Sequence, residues 1–218
     1  AYKQIQIDVS PGALKALGKT KQQVMDSVYK EFTIQRTVSQ KPSNNLSEYL
    51  SDMEELILSP RAAFFLSEEP AHPPLIIGNL WLILVLPKCS MDLESFKSKY
   101  DPDEDIIRHI LKQLAKALVY LFMVRDIRHQ DLKPNNVLVD FGLDSNQKPK
   151  NVRIRITDFG LSGERKNKEK MGGTPVWSAP EVFGGNQEYI DQFSLGRLSL
   201  YLVLDYPNFL QLLFAPIE

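Results

Sequence analysis

The spacing of apolar residues changes character part-way along the chain. Residues 1–7 alternate loosely, with Tyr2, Ile5 and Ile7 apolar, and this predicts a strand. Residues 19–39 carry Val24, Val28, Phe32 and Ile34 at roughly helical intervals, and residues 46–58 form a second helical stretch. Residues 59–73 read as an irregular connection. Residues 75–77 and 80–86 are near-continuous apolar runs, the pattern of strands buried on both faces. Pro87-Lys88-Cys89 breaks the pattern, and the period then lengthens. Asp101-Pro102-Asp103-Glu104 predicts a helix start, with Asp101 as N-cap, proline at the first position and glutamate at the third. Apolar residues at 106, 107, 110, 111, 114, 117, 118 and 121 mark its buried face, and His109 falls on its surface. Val152, Ile154 and Ile156 alternate with Arg153, Arg155 and Thr157, a half-buried strand. Residues 191–204 are apolar nearly all round and predict a buried helix. The shift at Pro87 from strand-like runs to helical periodicity predicts an α/β (α+β) chain in two lobes. Residues 1–88 form the small one and residues 89–218 the mainly helical one.

The chemistry gathers between the two helical stretches of the second lobe. Arg128-His129-Gln130-Asp131-Leu132-Lys133-Pro134-Asn135-Asn136 offers a carboxylate, a lysine and an amide just before the apolar run Val137-Leu138-Val139. Asp158-Phe159-Gly160 follows the strand at 151–157. Two oxygen ligands from separate loops, Asn136 and Asp158, can share a hard cation such as Mg²⁺ together with phosphate oxygens. Asp131 is then left to orient a hydroxyl. Asp140-Phe141-Gly142-Leu143 is a second copy of the second motif. It follows Val137-Leu138-Val139 directly, with no room for a return strand, so Asp140 cannot face Asn136 across a hairpin, and the copy is expected to be a plain turn.

Composition narrows the classes. The chain has 218 residues, 43% hydrophobic and 24% charged, ordinary for a globular protein. A formal net charge of −1 gives no bulk electrostatic case for nucleic acid or a membrane surface. One cysteine, Cys89, excludes an internal disulfide and fits a reducing, cytoplasmic setting. The longest apolar runs, residues 74–87 and 198–204, are too short or too interrupted to span a bilayer. The chain begins at Ala1 without an initiator methionine and stops at Glu218, so a piece of a larger protein is expected.

These motifs resemble the eukaryotic-type protein kinase signature. His129 to Asn136 is similar to the H-R-D-L-x-x-x-N catalytic loop, with Gln130 in place of the usual arginine. Asp158-Phe159-Gly160 matches D-F-G. Gly173-Thr174-Pro175-Val176-Trp177-Ser178-Ala179-Pro180-Glu181 resembles G-T-x-x-W-x-A-P-E. Asp191 to Gly196 resembles the D-x-x-S-x-G that opens the family's central helix. The resemblance implies ATP-dependent phosphorylation of a protein, with Mg²⁺ as the metal. Asp131 would orient the substrate hydroxyl and take its proton, and Lys133 would neutralise the moving phosphoryl group. Asn136 and Asp158 would hold Mg²⁺, and Lys3 would hold the α/β-phosphates. Lys133 at this spacing is the serine/threonine pattern. Thr174 fits the same type, since its hydroxyl could bond Asp131 and Lys133. The partner of Lys3 is left open between Glu31, Glu54 and Glu55. Leu86 would guard the back of the nucleotide pocket, with Leu138 and backbone near Pro87 and Cys89 meeting the adenine. Cys89 itself reads as a small hydrophobe. Ser162 and Thr174 are the candidate phosphate acceptors of the segment 158–181.

Two departures stand beside the resemblance. No G-x-G-x-x-G phosphate loop occurs in the chain, and Gln130 is neutral. They support a second reading, a kinase-fold scaffold that binds partners or nucleotide without turnover. Against that reading, Asp131, Lys133, Asn136 and Asp158 are all present.

Overall fold

The structure, a computed structural model, describes residues 2–8, 11–40, 53–67, 79–164, 173–183 and 188–214. Its first part is a three-stranded antiparallel sheet with a long helix against it. Strand β1 (Tyr2–Asp8) and strand β2 (Ala62–Ser67) flank a central strand β3 (Asn79–Val85). The register sets Lys3 opposite Leu84 and Phe65 opposite Leu82. A short helix α1 (Pro11–Leu17) leads into α2 (Lys21–Val38). Thr20 caps α2, accepting from Gln23 N at 3.2 Å, while the Gln23 side chain accepts from Thr20 N at 2.8 Å. This reciprocal box fixes where the helix starts. Val24 and Phe32 of α2 then close over Leu82 and Leu84 to make a small apolar core.

Beyond residue 86 the chain builds a second, larger core. Strand β4 (Met91–Asp92) and helix α3 (Leu93–Tyr100) precede α4 (Glu104–Val119), which ends in a π-helical turn, Tyr120–Val124. Strand β5 (Ile127–Arg128) leads to a 3₁₀ turn, Pro134–Asn136, and to the hairpin β6 (Val137–Leu143) and β7 (Pro149–Ile156). Strand β8 (Gly163–Glu164) pairs back on β5. Helix α5 (Ile190–Val203) and helix α6 (Tyr206–Phe214) follow. Ile110, Leu114, Ala117 and Leu118 of α4 meet Val137, Val139, Ile154 and Ile156 of the hairpin and Leu198 of α5. The helical period read from the sequence is thus the packing face. The open edge of β7 is covered by Gln113, which accepts from Ile154 N and donates to Val152 O, each at 3.1 Å.

Several expectations are corrected here. Residues 59–73 are not all irregular: Ala62–Ser67 is strand β2, because Phe64-Phe65-Leu66 finds the long-range partner β3. The described end of the stretch 46–58 is a 3₁₀ turn, Glu54–Leu56, followed by extended Ile57, which bridges Ile156. The N-cap of α4 is Asp103, which accepts from Ile106 N at 3.0 Å. Asp101 instead closes α3 in a left-handed conformation with φ 42°. Asp140 to Leu143 is part of strand β6, with a register shift after Asp140, and not a turn. The run 75–77 lies outside the described residues. No helix among the described residues is long and apolar enough to cross a membrane.

Leu114 is fully buried at the centre of the large core. Leu114→Ala is expected to lower unfolding stability by about 3 kcal/mol, read from denaturant melts, through lost burial plus the cavity left behind. A loss under about 1 kcal/mol would place α4 outside the core.

Candidate active site

Three distant segments converge on one ammonium. Lys3 Nζ on β1 lies 2.7 Å from Glu31 Oε1 on α2 and 2.9 Å from Asp158 Oδ1 beyond β7. Of the three glutamates left open by the sequence, Glu31 is therefore the partner of Lys3, and Glu55 stands 3.8 Å from Arg153 instead. Burial works against charging Lys3, but the Glu31 and Asp158 carboxylates outweigh it and hold its pKa above 10.5. Burial likewise opposes ionisation of Asp158, and Lys3, with smaller help from His129 and the Gly160 amide, holds its carboxyl below 3.8. Gly160 sits tightly against this pair: a Cβ there would come within 3.3 Å of Asp158 Oδ1 and 3.4 Å of Glu31 Oε2.

The second cluster centres on Asp131. Its Oδ1 accepts from Thr174 N at 3.0 Å and Thr174 Oγ1 at 2.8 Å. Its Oδ2 accepts from Lys133 Nζ at 2.8 Å and Asn136 Nδ2 at 3.2 Å. Lys133 Nζ also reaches Thr174 Oγ1 at 2.8 Å, so Asp131, Lys133 and Thr174 form a closed triangle. Asn136 donates to Asp131 O at 2.8 Å, which fixes its amide and leaves the carbonyl oxygen Oδ1 as the atom able to meet a cation. The two clusters are joined at the end of the hairpin. Val137 pairs with Ile156, and Thr157 N donates to Asn136 O at 3.0 Å.

Residues outside the candidate set hold this loop in place. Asp191 opens α5 and is buried. Its two carboxylate oxygens accept from His129 N at 2.7 Å and Gln130 N at 2.8 Å. Gln130 adopts φ 69° and Asp158 φ 66°, left-handed backbone that costs a non-glycine residue about 1 kcal/mol. The Asp191 bonds offset that cost at Gln130. The His129 ring lies edge-on to Phe159, 4.9 Å between centroids, and its Nε2 is 2.9 Å from Thr157 O. The sequence signalled Asp191 only through its motif. Its role as a clamp depends on a contact across more than sixty positions, which no local pattern encodes.

The nucleotide-pocket candidates are distributed differently. Leu86 packs against the small core under α2, on the face that carries Leu82 and Leu84. Leu138 is half-buried on β6, opposite Arg155 and Asp92. Cys89 turns its sulfur to Arg155 Nη1 at 3.7 Å, and Arg155 also pairs with Asp140. Burial, only partly opposed by Arg155, pushes the Cys89 thiol above 9.0, away from the thiolate form. Among the described residues no three His, Cys, Asp or Glu side chains gather as a metal cage. One carboxylate and one amide oxygen fit Mg²⁺, which keeps waters and takes the rest of its shell from phosphates.

Comparison with known proteins identifies the family. Residues 8–212 match the protein kinase domain. The chain belongs to the protein kinase family. It is 34% identical over 139 residues to the probable serine/threonine-protein kinase fhkC of Dictyostelium discoideum, covering 60% of this chain and 22% of that protein. It is 34% identical over 115 residues to serine/threonine-protein kinase 33 of Mus musculus, covering 49% of this chain and 23% of that protein. To the serine/threonine-protein kinase pak-1 of Caenorhabditis elegans it is 29% identical over 142 residues, 62% of this chain and 23% of that one. The kinase chain thus spans less than a quarter of the length of these relatives. Lys3 precedes the matched stretch, and its placement rests on the contacts to Glu31 and Asp158.

Residues 162–164 are held by hydrogen bonds within the chain. Ser162 is fully buried and donates to His129 O at 3.0 Å, so it is no acceptor in this conformation. Arg128, also buried, donates to Glu164 O at 3.2 Å where β5 meets β8. Gln130 can make only neutral amide bonds, weaker than the bidentate bonds of a guanidinium to phosphate. Phosphatase treatment of the full-length protein is therefore expected to leave any phosphotransfer rate on a peptide within about threefold. A loss of roughly a hundredfold, restored by rephosphorylation at one site, would contradict this.

The Lys3 shifts set a pH window. Asp158 is held below its unfolded value of about 3.9, so its contribution to stability is complete above that pH and fades as pH falls through the lower folded value. Lys3 is held above 10.5, so its contribution is complete below that pH and fades as pH rises through the higher folded value. Carboxyl NMR titration should put the Asp158 midpoint below 3.8, and Lys3→Met should move it upward. An unmoved midpoint would show that Lys3 does not set it.

Proposed function

We propose that the chain is the core of an ATP-dependent protein kinase that phosphorylates serine and threonine hydroxyls. The observation that carries this reading is the pair of linked clusters, Lys3 with Glu31 and Asp158, and Lys133 with Asp131 and Thr174. Phosphoryl transfer asks for positioning and charge neutralisation more than covalent chemistry, and this arrangement supplies both. Mg²⁺, when bound, would offset the negative charge of the nucleotide phosphates. Asn136 Oδ1 and the Asp158 carboxylate are its proposed ligands, and Lys3, steadied by Glu31, is the proposed phosphate contact. Leu86, Leu138 and backbone beside Cys89 are proposed for the adenine. We put the boundary between the lobes after residue 88, and a single cysteine fits a reducing cytoplasm.

All four acceptor positions of Asp131 are filled by its own chain. The 3.2 Å contact from Asn136 is the longest of them and is the one a substrate hydroxyl replaces. Asn136 keeps its bond to Asp131 O when it yields. The hydroxyl then forms the new P–O bond, the bond from the γ-phosphorus to its bridging oxygen breaks, and the proton passes to Asp131. Lys133 neutralises the phosphoryl oxygens, and its bond to Thr174 holds the substrate-facing segment beside the reacting atoms.

The test uses the full-length protein with a serine/threonine peptide. Asp131→Asn should cut turnover by roughly 10² or more while leaving nucleotide affinity largely intact. Asp158→Asn should abolish the Mg²⁺ dependence of that affinity. A wild-type protein that phosphorylates nothing, itself included, would hand the assignment to the scaffold reading.

A further inference from the structure

Helix α2 does not belong to one core alone. Its first part packs on the sheet through Val24 and Phe32, whereas Val38 in its last turn is buried in the large core. Between them Gln35, also buried, donates to Leu58 O at 2.8 Å and to Thr157 Oγ1 at 3.4 Å. The carbonyls at the C-terminal end of a helix have no partners within it, and that end carries partial negative charge. Here the partners come from the end of α4. Tyr120 Oη, on a fully buried ring, lies 2.9 Å from Val38 O and 3.2 Å from Gln40 O, within reach of both for its single O–H. Arg125 donates through Nη2 to Gln40 O and through Nε to Tyr120 Oη at 2.7 Å, and its guanidinium lies 5.3 Å from the Tyr120 ring centroid.

The π-helical turn makes this pairing possible. Arg125 N bonds to Tyr120 O at 3.2 Å, five residues back. In a regular α-helix a fifth residue lies off the face of the first, because neighbours on one face are three or four apart. Such turns are rare and occur mostly where a helix does something besides pack. In this chain the turn puts a cation and a phenol together on the end of the one helix that carries Glu31.

We propose that Tyr120 and Arg125 are positioning residues for Glu31. They fasten the C-terminal end of α2 to the large core, so that the Lys3–Glu31 pair forms without an outside partner. The inference rests on the kinase reading for its effect on rate, but the geometry it asserts is independent of that reading.

The experiment is a double-mutant cycle in the full-length protein, Arg125→Ala with Glu31→Gln, read by KM for ATP and kcat on a peptide and by hydrogen exchange over Lys21–Val38. Tyr120→Phe, which removes one hydroxyl and keeps the ring, guards against a variant that fails to fold. Arg125→Ala is expected to lower kcat/KM roughly tenfold, mostly through KM, with little further loss once Glu31→Gln is present. Arg125→Lys should recover part of the loss, since it keeps the charge but not the planar stack on Tyr120. Exchange over α2 should quicken about tenfold in Arg125→Ala and less in Tyr120→Phe. An equal loss with and without Glu31, or unchanged exchange over α2, overturns the proposal. If the wild type transfers no phosphate, the kinase reading fails by itself, and the exchange result alone still decides the latch.

Discussion

One ammonium between two carboxylates is the constraint on which the arrangement turns. Glu31 is nearly buried, and Asp158 stands close enough for both to touch Lys3 Nζ. Without the cation two like charges would share a partly dry space, and one of them would have to protonate or leave. Each of the three residues comes from a different structural unit: β1, helix α2 and the turn after β7. The pair bonds therefore do little for stability by themselves and much for geometry. A salt bridge at about a third exposure is worth little in energy. It is worth more as a rule about which conformations of α2 and of residues 158–160 can coexist.

The second constraint is the backbone of the loop at residues 128–136. A left-handed Gln130 turns the chain so that His129 faces Phe159 and Asp131 faces Thr174. Asp191 holds that turn by taking the amides of His129 and Gln130. Gly173 meets the same turn from the other side, with φ 142°, and a Cβ there would collide with Ser178 Oγ and come within 3.1 Å of Gln130 O. Loop, segment 173–178 and α5 are thus one hydrogen-bonded unit, and the triangle of Asp131, Lys133 and Thr174 is its product.

How much of this was legible depended on how local the cause was. The face of α4 was readable because Ile110, Leu114, Ala117 and Leu118 repeat at the helical period and all are buried. The hairpin of β6 and β7 was readable because a return strand of the right length lay between Asn136 and Asp158. The start of α4 was misplaced because two acids, Asp101 and Asp103, compete for the cap, and α3 had already taken Asp101 for its own end. Strand β2 was missed because its pairing with β3 crosses a connection whose local pattern does not announce it. Asp140 looked like a turn residue because it follows Val137-Leu138-Val139 directly, with no room for a return strand before it. Its fate is set instead by Arg155 across the hairpin and by Ser90 N, which it accepts at 3.0 Å. The choice of Glu31 over Glu54 and Glu55 needed coordinates for the same reason: helical phase alone does not say which turn faces Lys3.

Helix α2 connects these levels. A helix packed only on the small sheet could slide or rotate as that sheet moved, and Glu31 would follow it away from Lys3. Val38, Gln35 and the carbonyls of Val38 and Gln40 instead anchor its far end to residues of the large core. Gln35 touches Thr157, the residue before Asp158, so the anchor and the site share a neighbour. Motion between the two cores must therefore either bend α2 between Phe32 and Gln35 or break bonds made by buried polar groups. The second route leaves a buried amide or phenol without a partner, which costs about 1–3 kcal/mol for each group. That cost favours keeping Lys3, Glu31 and Asp158 assembled, and it locates any resistance to opening at the end of α2 rather than at the ion pairs themselves.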